Sequence, residues 1–517
     1  MKVTYETFTP DDALAREFTR AVGQLAGELG GEHPFYVNGC ARDGDRLGVE
    51  LETAPHDERF VVGHFAQAGP ADLDDAIESA HAFFAEWDDT PWSERVELVA
   101  RVAKLVAARR FELAAILAYE AGKPLLEAIG EVDECVELVD YYCAQMRANE
   151  GFSIPMGAPS ERERAYSVLR PYGVWAVIGP FNFPLALTLG PIAAALITGN
   201  TVVLKPSPHG YLSGHAVYRL FMDAGIPAAA LHLLTIPEQR LGERDWFYTH
   251  AGLAGLTFTG SYETGMRMYR GFTAARPRPV ICEMGGKNPA IVTTYADLDK
   301  AAAGIARSAF GYAGQRCSAC SRAFVLRERY DELLARVLRA RDSVVVGSPL
   351  DPASEIGPVI ERAAVDRLLA AAAECRALGT PVYGGIQLRE PAHGHYAEPT
   401  VAEVAPDARV MRDELFTPFL GISAVESFDH ALELANGLSY GLTAGLYSEN
   451  PAEIERFVQR IEAGVIYVNR AAGATSGAWP GVQPFGGWKA SGNTGRGGGG
   501  LHYLQQYMRE QSRTFVR

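Results

Sequence analysis

The chain lacks any apolar run of the ~20 residues that a membrane-spanning helix needs. Its longest candidate, PLALTLGPIAAALITG at 184–199, is interrupted by Gly190, Pro191 and Thr198 and reads as a buried helix. Cysteine is scarce. Seven in 517 residues, an odd number without regular spacing, make no disulfide framework and imply a reducing compartment. Basic excess is missing as well. The net charge is −15 with the signs interspersed, which argues against a phosphate-tracking surface and a nucleic-acid partner. The N-terminal MKVTYETFTPDDALAREF has no apolar stretch of the secretory kind, so a cytoplasmic protein with no membrane partner is expected. There is no internal repeat. The Gly-rich GNTGRGGGG (492–500) meets G-x-G-x-x-G only trivially, since no strand pattern precedes it and no helix starts there.

What is present is ordinary globular material, 48% hydrophobic and 21% charged, in a chain long enough for two or three domains. Residues 72–148 repeat apolar side chains at three- and four-residue spacing and read as helices. From about 165, short apolar runs (YGVWAVIGP, TVVLKPS, LHLLT, LAGLTFTGS) alternate with helical patterns. That alternation predicts βαβ units around a parallel sheet buried on both faces. After PVICEMGGKNPAIV it resumes, with a helix over 297–312, a strand over 323–327 and a helix over 330–342, so a boundary is expected near 284. FSIPMG and RAYSVLRPYG flank a polar turn and predict a hairpin at 150–170.

The stretch GYAGQRCSACSR (311–322) places Cys317 and Cys320 in a C-x-x-C. A structural zinc wants four ligands, and no second pair is suitably spaced, so no metal is expected. A thioredoxin-like pair opens a helix after a strand, whereas this pair follows a helix and precedes a strand. The third reading is a single nucleophile. Asp297 can cap the preceding helix and Gly314 can end it, leaving Gln315, Arg316 and Cys317 as the turn into the next strand. A cysteine held on such a loop suits attack on a substrate, provided a base and oxyanion donors lie near.

GQRC (314–317) resembles the catalytic-cysteine motif of the aldehyde dehydrogenase superfamily. GPFNFP (179–184), LKPS (204–207), FTGS (258–261), EMGGKNP (283–289), ELFTP (414–418) and PFGGWKASG (484–492) accompany it in the family's order. The resemblance implies an α/β, aldehyde dehydrogenase-like fold: two Rossmann-type parallel-sheet domains plus a small β-hairpin oligomerisation flap. The NAD(P)-binding domain would take 1–149 and 171–283, the catalytic domain 284–485, and the bridging element 150–170 and 486–517. It also implies NAD(P)-dependent oxidation of a small-molecule aldehyde to a carboxylate. Cys317 would be the nucleophile, Asn182 with the Cys317 N–H the oxyanion donors, and Glu283 the general base. Taken alone, Asn182 could be a turn residue and Glu283 a solvated strand end; Cys320 and Cys282 read as core.

For the cofactor the resemblance implies Lys205 and Ser207 after one strand, Gly260 and Ser261 at a helix start that faces a pyrophosphate, and Glu414 on the nicotinamide ribose. Ile178, Pro180, Gly285 and Phe416 complete that surface. Pro208 stands where many NAD-preferring relatives carry glutamate, so NAD is expected with NADP still open. Thr417 stands where glycine is usual.

Within the superfamily, GQRCSACSR, the N-terminal extension and SGAWPGVQPFGGWKASG look most like the 1-pyrroline-5-carboxylate (glutamate-semialdehyde) dehydrogenases. There Ser476, Gly477 and Ala478 would anchor the substrate carboxylate through backbone N–H groups, with Ser318 as a further donor and Phe183 and Phe485 as walls. NRAAGATSGA is about three residues longer than that group's usual spacing. The alternatives are a dehydrogenase for another small acid semialdehyde or aliphatic aldehyde and, more remotely, a catalytically silent relative. A homodimer or larger homo-oligomer is expected because a hairpin exposes sheet edge.

Overall fold

The computed structural model describes residues 12–43, 48–237, 245–388, 392–473 and 479–516. Among these, helices run Pro70–Asp89, Trp92–Ala108, Arg110–Glu120 and Leu125–Ala148. Proline at 91 and the Gly122–Pro124 stretch interrupt an otherwise continuous apolar periodicity. The buried stripes of Trp92–Ala108 and Leu125–Ala148 pack against the helix Ala186–Ile197, whose side chains are almost all buried and which carries Pro191 inside it, while Pro70–Asp89 packs on the strands Val174–Ile178 and Thr201–Lys205. No helix among the described residues is long and apolar enough to cross a membrane.

Two seven-stranded sheets carry the fold among the described residues. In the first, Val280–Glu283, Gly255–Thr259, Val174–Ile178, Thr201–Lys205 and Leu231–Leu233 lie side by side and parallel, and Phe35–Val37 and Cys40–Arg42 add an antiparallel edge. Val174–Ile178 and Thr201–Lys205 are buried at every position, which is why they read as unbroken apolar runs. The second sheet runs Val382–Tyr383, Thr400–Glu403, Phe419–Val425, Cys320–Leu326, Asn288–Val292, Thr443–Tyr447, Val465–Val468, parallel except at the first pair.

A smaller antiparallel sheet stands apart from both. The hairpin Ser153–Met156 and Glu163–Pro171 pairs with the C-terminal strand Met508–Val516, in register from Met508↔Pro171 to Val516↔Glu163. Ile154, Met156, Phe515 and Val516 on it are at least half exposed.

One local expectation needs correction. The helix capped by Asp297, whose carboxylate accepts the Asp299 and Lys300 N–H groups, ends at Phe310 and does not continue to Gly314. Tyr312, Ala313 and Gly314 all take positive φ (50°, 52°, 69°). Tyr312 is pulled off the helix by burial. Its hydroxyl donates to the Ala121 carbonyl at 2.8 Å, and its ring meets Phe183 edge-on. The following strand likewise begins at Cys320, three residues before the expected start.

Candidate active site

A cleft of about 760 Å3 lies at the carboxyl ends of the first sheet's strands, and loops that lead into the second sheet, at Cys317 and at Glu414–Phe416, also line it. Ile178, Pro180, Asn182, Lys205, Ser207, Gly260, Ser261, Glu283, Gly285, Cys317, Glu414, Phe416 and Phe485 all line it. Residues scattered over some 300 positions of sequence thus meet in one space. Phe183 and Ser318 are buried beneath this lining, Phe183 under the Lys123 ammonium, which sits 3.5 Å from its ring centroid. Gly477 and Ala478, with Ser476, lie outside the described residues.

Strand ends explain the placement. Glu283 is the last residue of Val280–Glu283, Lys205 the last of Thr201–Lys205, and Ile178 the last of Val174–Ile178. Asn182 follows the Gly179-Pro180 turn, and its Nδ2 donates to the Gln315 carbonyl at 3.0 Å, tying it to the loop that carries Cys317. Ser261 caps the helix Tyr262–Thr273 by accepting the Thr264 N–H, so the amide end of that helix opens into the cleft.

Burial sets the electrostatics. It pushes the Cys317 thiol up to about 12, the charges of Glu414 and Glu283 add to this, and the N–H groups of Ser318 and Cys317 oppose it. Burial likewise raises Glu283 to about 8, eased by the Gly487 N–H, and leaves its Oε2 without a hydrogen-bond partner among the described residues. Glu414 is raised to about 7 by burial, eased by the Gly286 N–H, which donates to its Oε1 at 2.9 Å, and by the Lys287 charge. A carboxyl group poised near neutrality beside a sheltered thiol can accept a proton at working pH.

The cleft also fits a dinucleotide. It offers a helix N-terminus, a lysine at a strand end and a carboxylate, and it keeps glycine where a side chain would intrude. A Cβ at Gly285 would stand 2.0 Å from Glu414 Oε2, so the backbone there must stay bare to keep that carboxylate in place. Phe416 holds a positive φ of 55° beside it, a strained conformation of the kind found at ligand clamps.

Some contributors were not singled out from sequence. Phe181 meets the Phe416 ring edge-on at 5.8 Å and stands next to Asn182 in GPFNFP, so the motif itself carries it. Arg367 donates to the Leu415 carbonyl at 3.3 Å and lines the cleft, but nothing in its helical context marks it. The Lys123–Glu131 ion pair at 2.5 Å is fully buried. The same Glu131 accepts the Leu185 and Ala186 N–H groups, which anchors the segment that follows Asn182. Cys320 and Cys282 are core residues, each 1% exposed.

Similarity to known proteins agrees with this geometry. The sequence profile described as "Aldehyde dehydrogenase family" matches residues 49–512. A protein of Geobacillus thermodenitrificans named 1-pyrroline-5-carboxylate dehydrogenase is 35% identical over 94% of each chain. A Bacillus subtilis protein named 1-pyrroline-5-carboxylate dehydrogenase 2 is 34% identical over 98% of each. A crystal structure of 1-pyrroline-5-carboxylate dehydrogenase from Thermus with bound NAD superposes with a TM-score of 0.93 at 33% identity, covering 100% of this chain and 99% of that one. By its motifs, its fold and these relatives, the chain belongs to the aldehyde dehydrogenase family.

Proposed function

We propose that the protein oxidises L-glutamate 5-semialdehyde, the open form of 1-pyrroline-5-carboxylate, to glutamate, with NAD as the oxidant, as a step of proline degradation. The observation that carries the reading is the convergence of Cys317, Asn182 and Glu283 on one cleft. The names of the relatives point to the same substrate.

The Cys317 thiol gives up its proton to solvent, and the thiolate attacks the aldehyde carbon; the new sulfur–carbon bond turns the carbonyl oxygen into a tetrahedral oxyanion. Asn182 Nδ2 and the Cys317 N–H donate to that oxygen. In the free protein the Asn182 amide already aims at this loop through Gln315, so little reorganisation is needed. When bound, the dinucleotide supplies the acceptor for the hydride that the tetrahedral carbon must lose to become a thioester. Glu283 takes a proton from the water that attacks this thioester, which releases the acid and returns the thiol. Lys205, Ser207, Gly260 and Ser261 would hold the adenosine and pyrophosphate end, and Glu414 with Phe416 the nicotinamide end, with Ile178, Pro180 and Gly285 as the wall. Ser318, whose buried Oγ has no partner among the described residues, is a spare donor for the substrate's carboxylate. Gly477 and Ala478 would add backbone N–H groups, and Phe183 and Phe485 would flank the aliphatic chain.

The chain divides on this reading into a dinucleotide-binding part (1–149 and 171–283), a catalytic part (284–485) and a bridging element (150–170 and 486–517). The exposed apolar side chains of the hairpin sheet support a homodimer or a larger homo-oligomer, and the location we infer for it is the cytoplasm. The test is kcat/KM with NAD and, separately, NADP, for pyrroline-5-carboxylate, succinic semialdehyde and a short aliphatic aldehyde. A clear preference for pyrroline-5-carboxylate is the expected result; equal values across the three substrates would overturn the substrate assignment.

A further inference from the structure

The loop 315–319 must present Cys317 without letting it wander, yet it belongs to no helix or ladder. Two side chains from neighbouring strands hold it. Asn288, 2% exposed, donates from Nδ2 to the carbonyls of Cys317 at 2.7 Å and Ala319 at 2.9 Å. Its Oδ1 accepts the Thr443 N–H at 2.9 Å, so the amide is committed on both sides. Thr443, also 2% exposed, donates from Oγ1 to the carbonyl between those two, Ser318 O, at 3.3 Å.

The need for such a clamp is visible in the ladder. Asn288–Val292 pairs with Cys320–Leu326, but the register slips between Asn288 and Pro289, where proline has no N–H to give. The side-chain amide of Asn288 supplies donors where the backbone ladder fails. The opposite ends of the same peptides are also fixed. The Ala319 N–H donates to Arg316 O at 3.1 Å, and the Cys320 N–H to Ser308 Oγ at 3.0 Å. A trans peptide points its C=O and N–H in opposite directions. Holding the Cys317 carbonyl inward therefore turns the Ser318 N–H outward, toward the nucleophile's side. Gly286 closes the back: a Cβ there would lie 2.5 Å from the Cys317 carbonyl oxygen.

We propose that Asn288 and Thr443 are positioning residues for the reaction, a carbonyl clamp that orients the Ser318 N–H directly, and the Cys317 N–H through the Ala319 N–H bond to the Arg316 carbonyl, toward the sulfur and the developing oxyanion. The inference rests on the reading of Cys317 as nucleophile. The clamp touches neither substrate nor dinucleotide, so its loss acts on the chemical step. A misplacement on the order of 1 Å in such a frame can cost ~10²-fold in rate.

The test compares Asn288→Asp, Thr443→Val and Thr443→Ser in the full-length protein. Three quantities are read: kcat, KM and the pH profile of Cys317 alkylation by iodoacetamide, followed by peptide mass mapping so that the exposed Cys40 is counted separately. Asn288→Asp is expected to lower kcat by ~10²-fold and Thr443→Val by about tenfold, with the dinucleotide KM within about twofold. Both should slow Cys317 alkylation at every pH of the profile, while Thr443→Ser, which keeps the hydroxyl, stays near the unaltered protein. If Asn288→Asp fails to fold, Thr443→Val against Thr443→Ser carries the decision. An unchanged alkylation profile in the folded variants, with kcat falling only as thermal stability falls, overturns the clamp. Absence of aldehyde oxidation in the unaltered protein would overturn the proposed function alone, because the alkylation profiles still decide the clamp.

Discussion

Cys317 and Cys320 stand three residues apart, and burial pushes both thiols to about 12. Acidity therefore does not separate them. Their surroundings do. Cys317 is half-buried and lines the cleft that holds Asn182 and Glu283. Cys320 opens the strand Cys320–Leu326 within the second sheet's core, its sulfur turned to the Arg322 carbonyl and its N–H given to Ser308 Oγ. A thiol becomes a nucleophile through access and neighbouring groups, and the same sulfur three residues on is packing.

The widest split between the two is expected from alanine at each position. Cys317→Ala should lower aldehyde oxidation by about 10⁴-fold or more, measured as dinucleotide reduction, while Cys320→Ala keeps most of the activity. Comparable losses at both would return the pair to redox partnership.

Glu283 marks the Cys317 side of the contrast. Glu283→Gln should cut steady-state turnover by ~10²–10⁴-fold while the first turnover still proceeds, so a burst followed by a stall is expected in rapid-mixing traces. The pH dependence follows from the sign of its shift. Burial raises the carboxyl to about 8, and only the ionised form accepts a proton, so turnover should climb as pH rises through about 8. In Glu283→Gln that limb should vanish. A limb that survives the substitution would assign the base to another residue.

Asn182→Ala comes next, with an expected kcat loss of ~10²–10³-fold from the missing oxyanion donor and little change in dinucleotide KM. An effect confined to KM would move Asn182 from the oxyanion to ground-state binding.

Much of this was legible in the sequence for physical reasons. Strands buried on both faces must be apolar throughout, so Val174–Ile178 and Thr201–Lys205 announce themselves, and a motif placed after such a run lands at a strand's carboxyl end. Glu283, Lys205 and Gly260, which the family resemblance pointed to, end or directly follow such strands. The end of the helix before Cys317 was not legible, because the three consecutive positive φ values go with Tyr312's burial against Ala121 and Phe183, a tertiary cause with no local mark. Arg367 and the carbonyl clamp of Asn288 and Thr443 were hidden likewise, since each acts on a backbone carbonyl distant in sequence. Nor could spacing alone assign the two cysteines, because C-x-x-C records separation along the chain and says nothing of which sulfur faces a cleft.

The smallest effect belongs to the buried partner, and it sharpens the contrast from the other side. Cys320→Ala deletes one sulfur from a site that is 1% exposed. The pairing with Asn288 and the Cys320 N–H bond to Ser308 Oγ fix the backbone there, so the site can relax only in part and the loss should be about 1 kcal/mol. Calorimetry should register a fall in Tm of a few degrees at most, with kcat and KM within about twofold of the unaltered protein. The Cys317 alkylation profile should also stay unchanged, because the Cys320 N–H and the Ala319 carbonyl keep their partners whatever the side chain at 320. If that profile shifts while Tm holds, the sulfur at 320 takes part in setting the nucleophile, and the division of labour between the two cysteines fails.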